Sequence, residues 1–137
     1  MARNFFLVDD DKIWGFVVSK LLEYVKADAS VKQFSDGRSL LQWFKQQHAS
    51  VHLHPDCILL DIKMPGMDAW QFLQQWSREG FSRHGIPVYI VTASERQEDL
   101  ELSVNFPEVK GYFVKPLKKE DVYRIIASVE SLKQLQR

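Results

Sequence analysis

Short apolar runs alternate with longer segments of helical periodicity along this chain. The runs are Phe5–Val8, Val31–Phe34, Cys57–Leu60, Val88–Val91 and Tyr112–Val114. Each has the length of a buried strand and is bounded by Asp, Gly, Pro or Thr. Amphipathic stretches between them predict helices at Asp11–Lys26, Asp36–Gln47, Asp68–Arg78, Glu95–Phe106 and Lys118–Leu135. Three of these open on an aspartate, whose carboxylate accepts the free N–H groups of a first helical turn. Strand–helix alternation of this kind predicts an α/β fold with a parallel five-stranded sheet covered by helices on both faces. A chain of 137 residues suits one domain, expected over 1–137 with a core at about 4–130. The segment after Pro116 suffices for one helix, so no output domain is expected.

The polar residues at the ends of the runs carry the chemistry. Asp9, Asp10 and Asp11 follow the first strand, Asp61 the third, Thr92 the fourth and Lys115 the fifth. In a parallel sheet these ends share one edge. With strand order 2-1-3-4-5, the first and third strands flank the switch point where such sheets open a ligand crevice. Asp9, Asp10 and Asp61 then surround one cavity. Clustered carboxylates are relieved by raised pKa values or by a cation, and Mg²⁺ suits an all-oxygen site while keeping waters and sharing phosphate oxygens. A carboxylate there can attack phosphorus to give an acyl phosphate, with the metal and the Lys115 ammonium neutralising the phosphoryl oxygens and the Thr92 hydroxyl donating to one of them.

Each residue also has an ordinary role open to it. Asp11 and its neighbours can cap the first helix. Asp61 can be a turn residue ahead of Met64-Pro65-Gly66, where Pro-Gly fits the centre of a type II turn. Thr92 can cap the fourth helix, and Lys115 can be a solvated lysine. Singly these are as good as the functional roles. Together they require four coincidences at one edge.

Composition narrows the function further. The hydrophobic fraction is 45%, the charged fraction 26% and the net charge zero, which suits a globular protein and lacks the basic excess of a phosphate-reading nucleic-acid binder. The N-terminal apolar stretch, Phe5 to Val8, is too short for a signal peptide or membrane span, and a cytoplasmic protein is expected. The single cysteine, Cys57, lies in an apolar run and reads as a core residue. His48, His52 and His54 fall in a loop-like stretch without a thiolate or carboxylate at ligand spacing, and a solvated loop is expected.

The motifs now on the page are Phe6-Leu7-Val8-Asp9-Asp10-Asp11, Ile58-Leu59-Leu60-Asp61-Ile62-Lys63-Met64-Pro65-Gly66-Met67-Asp68, Val91-Thr92-Ala93 and Gly111-Tyr112-Phe113-Val114-Lys115-Pro116. In that order they resemble the response-regulator receiver domains of two-component signalling, from about Asn4 to the final helix. The resemblance implies a flavodoxin-like (βα)5 fold and a Mg²⁺-dependent phospho-aspartate. It makes Asp61 the phosphoacceptor, Asp10 the main metal carboxylate, Asp9 its acidic partner, and Lys63 the residue whose carbonyl completes the metal site. Thr92 and Lys115 become the phosphate contacts, Tyr112 the aromatic switch that follows the threonine, and Lys115–Pro116 a cis bond. The implied partners are a sensor histidine kinase or histidine phosphotransfer protein and a downstream protein, with the chain a monomer or a phosphorylation-dependent dimer. Such a chain assists its own phosphorylation and dephosphorylation and is not an enzyme in the ordinary sense. Ala69 stands where receivers usually carry glycine, and a stiffer start to the third helix is expected. Lys63 and Ser94 occupy positions that tune phosphate lifetime in the family.

On the first helix Trp14, Val17, Val18, Leu21, Leu22 and Val25 form an arc expected to be mostly core. Phe16 falls among Lys12, Lys20 and Glu23 on the polar side. Phe16, with Trp14 near the pocket mouth, is the candidate docking point for the phosphodonor. Trp43, Trp70, Phe72 and Trp76 read as packing residues, since no Gly-rich phosphate cradle accompanies them. Two other functions compete. One is a receiver-like binding module that never uses phosphate. The other is an aspartate-nucleophile phosphohydrolase of the haloacid dehalogenase type, disfavoured because Asp9-Asp10-Asp11-Lys12-Ile13 lacks the expected threonine.

Overall fold

The computed structural model describes residues 3–135. Five strands alternate with five helices: β1 (Asn4–Val8), α1 (Lys12–Val25), β2 (Ser30–Phe34), α2 (Gly37–Gln47), β3 (Cys57–Leu60), α3 (Ala69–Arg78), β4 (Val88–Thr92), α4 (Gln97–Ser103), β5 (Val109–Val114) and α5 (Lys119–Leu135). The strands pair in parallel in the order β2-β1-β3-β4-β5, the flavodoxin-like order expected. β3 and β4 are buried along their whole length, which is why their residues are almost all apolar.

The two-residue period of the strands divides the core. Phe6, Val8, Ile58, Leu60 and Ile90 point to one side, where they meet Leu40 and Phe44 of α2 and Phe72, Leu73 and Trp76 of α3. Phe5, Leu7, Leu59 and Val91 point to the other, against Val18 and Leu22 of α1 and Val122, Ile125 and Val129 of α5. Cys57 is a buried free thiol in this second layer, and burial pushes its pKa far upward. Trp70, Phe72 and Trp76 are core residues, as their spacing predicts.

All three aspartate caps form. Asp11, Asp36 and Asp68 accept from the backbone N–H of Trp14, Ser39 and Gln71 at 3.0, 2.8 and 2.8 Å. Gln71 answers by accepting from the N–H of Asp68, so α3 begins in a capping box and Ala69, buried, fits its first turn. Gly66 has φ +80°, the value a type II turn needs after Pro65. The Lys115–Pro116 bond is cis.

Several expectations differ from what forms. Strand β5 starts at Val109, three residues before the apolar run, because Lys110 and Gly111 join the sheet across an irregular register at Val88/Tyr89. Helix α4 occupies only Gln97–Ser103 of the predicted Glu95–Phe106. Val17 belongs to the outer face of α1 and is exposed. The histidine stretch is not simply solvated: a 3₁₀ turn forms at Val51–Leu53, and the His54 ring packs 4.6 Å from Phe44 and 4.7 Å from His84.

Candidate functional site

The ends of β1, β3, β4 and β5 converge as the topology requires. Asp9 is buried, with 1% of its surface exposed. Its N–H donates to the Phe34 carbonyl at 3.0 Å, which anchors the β1 end against β2. One carboxylate oxygen of Asp9 accepts from the N–H of Asp11 at 3.0 Å. The other accepts from Lys115 Nζ at 2.7 Å. The same ammonium reaches Asp61 Oδ2 at 3.4 Å. Asp61 Oδ1 accepts from the N–H of Ile62 at 2.8 Å, while its own N–H donates to the Val8 carbonyl at 3.1 Å. The Thr92 hydroxyl lies within interaction range of Asp61. Lys115 and Thr92 are tied through the backbone, Lys115 N–H donating to the Thr92 carbonyl at 2.8 Å.

Electrostatics follow from this packing. Burial raises the pKa of the Asp61 carboxyl; Lys115 pulls it down, and the Asp9 charge pushes it up again. Burial works against the charge of Lys115, but its hydrogen bond to Asp9 and the Asp61 charge hold its pKa above the ordinary value. Lys115 also lies over the Trp14 ring, 5.1 Å from its centroid. Trp14 is therefore half-buried as a wall of the pocket, with its indole N–H enclosed and unpartnered, and only Phe16 of the two docking candidates is open.

Asp10 and Lys63 are exposed at the mouth. Among the described residues no three His, Cys, Asp or Glu side chains form a ready metal cage. The donor set nonetheless fits Mg²⁺, which binds through one or two carboxylates and fills its remaining positions with waters, carbonyls and phosphate oxygens. The Lys115 ammonium already plays the part of a cation between Asp9 and Asp61.

Three features escaped the apolar-run reading. Gln33, at the end of edge strand β2, donates from Nε2 to the carbonyls of Asp9 and Asp11 at 2.8 and 3.0 Å and braces the acidic loop. Asp99 of α4 is buried and accepts from the Ser94 hydroxyl at 2.5 Å. The Tyr112 hydroxyl donates to the Ser94 carbonyl at 3.0 Å, so the candidate switch residue is bound to the β4–α4 loop. The inner face of α4 is formed by two polar residues, Asp99 and Ser103, and it appears only once α4 is placed.

The sequence model of the response regulator receiver domain matches residues 5–127. This chain belongs to the response regulator receiver domain family. Protein PilH of Pseudomonas aeruginosa is 27% identical over 129 residues, covering 94% of this chain and 98% of PilH. The probable methanogenesis regulatory protein FilR2 of Methanothrix harundinacea is 26% identical, covering 90% of this chain and 79% of its own length. Other relatives are much longer: the chain spans 18% of the putative two-component response regulator ARR21 of Arabidopsis thaliana. Among solved structures, a two-component response regulator from Cytophaga hutchinsonii superposes with a TM-score of 0.85 at 20% identity over 95% of this receiver and 98% of that one. A CheY-like receiver from Methanospirillum hungatei gives 0.75 at 20% identity, covering 98% of each. These establish the receiver fold. No helix among the described residues is long and apolar enough to cross a membrane.

Proposed function

We propose that this receiver works as a stand-alone phosphoacceptor. Asp61 takes a phosphoryl group from a sensor histidine kinase or histidine phosphotransfer protein, and the phosphorylated surface signals by protein–protein contact. The observation that carries this reading is the position of Lys115, 2.7 Å from Asp9 and 3.4 Å from Asp61, beside Thr92. The extent of the PilH match supports the stand-alone form.

In this mechanism an Asp61 carboxylate oxygen attacks the phosphorus of a phosphohistidine. The P–N bond breaks, its electron pair leaves with the imidazole, and an acyl phosphate forms on Asp61. Lys115 pairs with a phosphoryl oxygen while remaining close to Asp9, and Thr92 donates its hydroxyl to another. Asp9, Asp10, Asp61 and the Lys63 carbonyl are the residues that would hold Mg²⁺. The ion supplies charge neutralisation on the phosphoryl oxygens. Movement of Thr92 then repacks Tyr112 and changes the surface of α4, β5 and α5.

A phosphate-independent binding module has no need of this constellation, and the site retains every member of it. A haloacid dehalogenase reading needs a nucleophile after β1, where Asp9 is held by Lys115 and the Asp11 N–H. The deciding experiment is intact-mass analysis after incubation with Mg²⁺ and acetyl phosphate. One phosphoryl adduct, lost on removing Mg²⁺ or in Asp61→Asn, is the expected result. No adduct with acetyl phosphate or phosphoramidate, with rapid hydrolysis excluded by time course, would favour the binding module.

A further inference from the structure

Strand β1 pairs with β2 as far as Val8 and Phe34, and the chain must then carry Asp9 and Asp10 into the pocket beyond the end of the ladder. A side chain takes over from the backbone there. Gln33 stands opposite Leu7 in the register, and its amide reaches past the strand ends. Nε2 donates to the Asp9 carbonyl at 2.8 Å and to the Asp11 carbonyl at 3.0 Å, so one amide grips the residues on either side of Asp10. The Asp9 N–H donates to the Phe34 carbonyl at 3.0 Å, which ties both backbone polar groups of Asp9 to β2. The Asp11 carbonyl also accepts from the Gly15 N–H at 3.0 Å and joins the loop to the first turn of α1. Gly15 makes the grip possible. Glycine is a poor helix residue, but a Cβ at this position would collide with the Gln33 amide.

These bonds act against charge repulsion. Asp9 Oδ2 and Asp61 Oδ2 lie 2.7 and 3.4 Å from the same Lys115 Nζ, so carboxylates from the ends of β1 and β3 are gathered in one pocket. Like charges so placed favour separation, and a loop held at both carbonyls resists it. Resting on the phosphoacceptor reading above, we propose that Gln33 is a positioning residue for the metal-binding carboxylates. Its amide holds Asp9 and Asp10 in place before a divalent cation arrives. The cation then does not have to gather them, and its affinity rises by the ordering cost avoided. A tether that served only the sheet edge would change stability and leave the cation affinity of the folded chain alone.

The test titrates Mn²⁺, which takes the same oxygen-rich sites as Mg²⁺, into the full chain and reads the free ion by electron paramagnetic resonance. Gln33→Met keeps an unbranched side chain over Gly15 and removes both donors. It is expected to weaken binding by about fivefold, short of the roughly ten- to hundredfold typical of outer-shell partners, because Gln33 is exposed to water. Gly15→Ala, which displaces the amide from the other side, should weaken binding by a similar factor, and the double variant should lose little more. In acetyl phosphate labelling, the Mg²⁺ concentration for half-maximal rate should rise by the same factor in Gln33→Met, with the rate at saturating Mg²⁺ close to wild type. If Gly15→Ala fails to fold, Gln33→Met decides alone. Wild-type affinity in folded Gln33→Met, or a rate loss that saturating Mg²⁺ does not restore, overturns the positioning role and leaves the phosphoacceptor reading intact. Failure of the wild-type chain to bind Mn²⁺ overturns both.

Discussion

At the residue scale the site is a problem in placing negative charge. Asp61 and Asp9 are enclosed together, and one ammonium serves both. Lys115 does not overcome the burial of Asp61 and the repulsion from Asp9, so the folded chain holds the Asp61 proton more tightly than an unfolded chain does. The native state then binds more protons than the unfolded state above the ordinary carboxylate pKa, and stability falls as pH rises through the raised value. Asp61→Asn removes that penalty. In Mg²⁺-free buffer it should melt higher than wild type at neutral pH. The advantage should shrink as pH drops toward and below the ordinary carboxylate value of about 3.9, where both forms are uncharged. Thermal melts from pH 3 to 8 check this, and a lower melting temperature for Asp61→Asn at pH 7 would contradict it. The charge imbalance was readable from three aspartates and one opposing lysine. That Lys115 contacts Asp9 more closely than Asp61 was not, because it depends on side-chain positions at the meeting of β1, β3 and β5.

The helix starts, at the scale of elements, were set locally. Asp11, Asp36 and Asp68 cap as placed because a cap needs only the three residues that follow it. The elements that shifted answered to distant partners. Val109–Gly111 joins β5 because β4 offers a ladder there, and Val17 faces water because α1 leans on α5 and the sheet through Val18 and Leu22. The fit of α1 against β2 carries a test. A Cβ on Gly15 would lie 1.9 Å from Gln33 Oε1, so any larger residue must displace the amide that braces the acidic loop. Gly15→Ala should cost about 1–2 kcal/mol from this crowding, net of the gain in helix propensity. In a Gln33→Ala background the crowding is gone, and the same change should stabilise by up to about 1 kcal/mol. Urea unfolding of the four proteins in the cycle measures the reversal; additive effects would show that Gln33 does not restrain Gly15.

Seen as a whole molecule, the receiver carries an exposed apolar stripe along α1, the helix that begins at its pocket. Ile13, Phe16, Val17 and Tyr24 are exposed along the outer face of α1, with the Lys20 ammonium 5.4 Å from the Phe16 ring. Their spacing puts them on one side of the helix. On the phosphotransfer proposed above, a donor histidine would enter at the Asp10 mouth, and this stripe lies on the helix that follows it. Phe16→Ala should slow phosphotransfer from the cognate donor by about tenfold, the loss expected for an interfacial aromatic. Parallel labelling with acetyl phosphate, which needs no docked protein, separates lost docking from a damaged site. Unchanged transfer from the donor would remove α1 from the interface.

The order of strands and helices, the three caps and the convergence of Asp9, Asp61, Thr92 and Lys115 on one edge were determined by the sequence itself. Apolar periodicity and residues at strand ends are local properties, and a parallel α/β topology brings the strand ends together. Which acid pairs with Lys115, the packing of Trp14 over its ammonium, the Gln33 brace and the burial of Asp99 against Ser94 were decided by tertiary structure. Each joins residues far apart in the chain or turns on which face of a helix meets the core. Such contacts leave no periodic trace, because a single polar side chain looks the same in sequence whether it ends in water or against another chain segment.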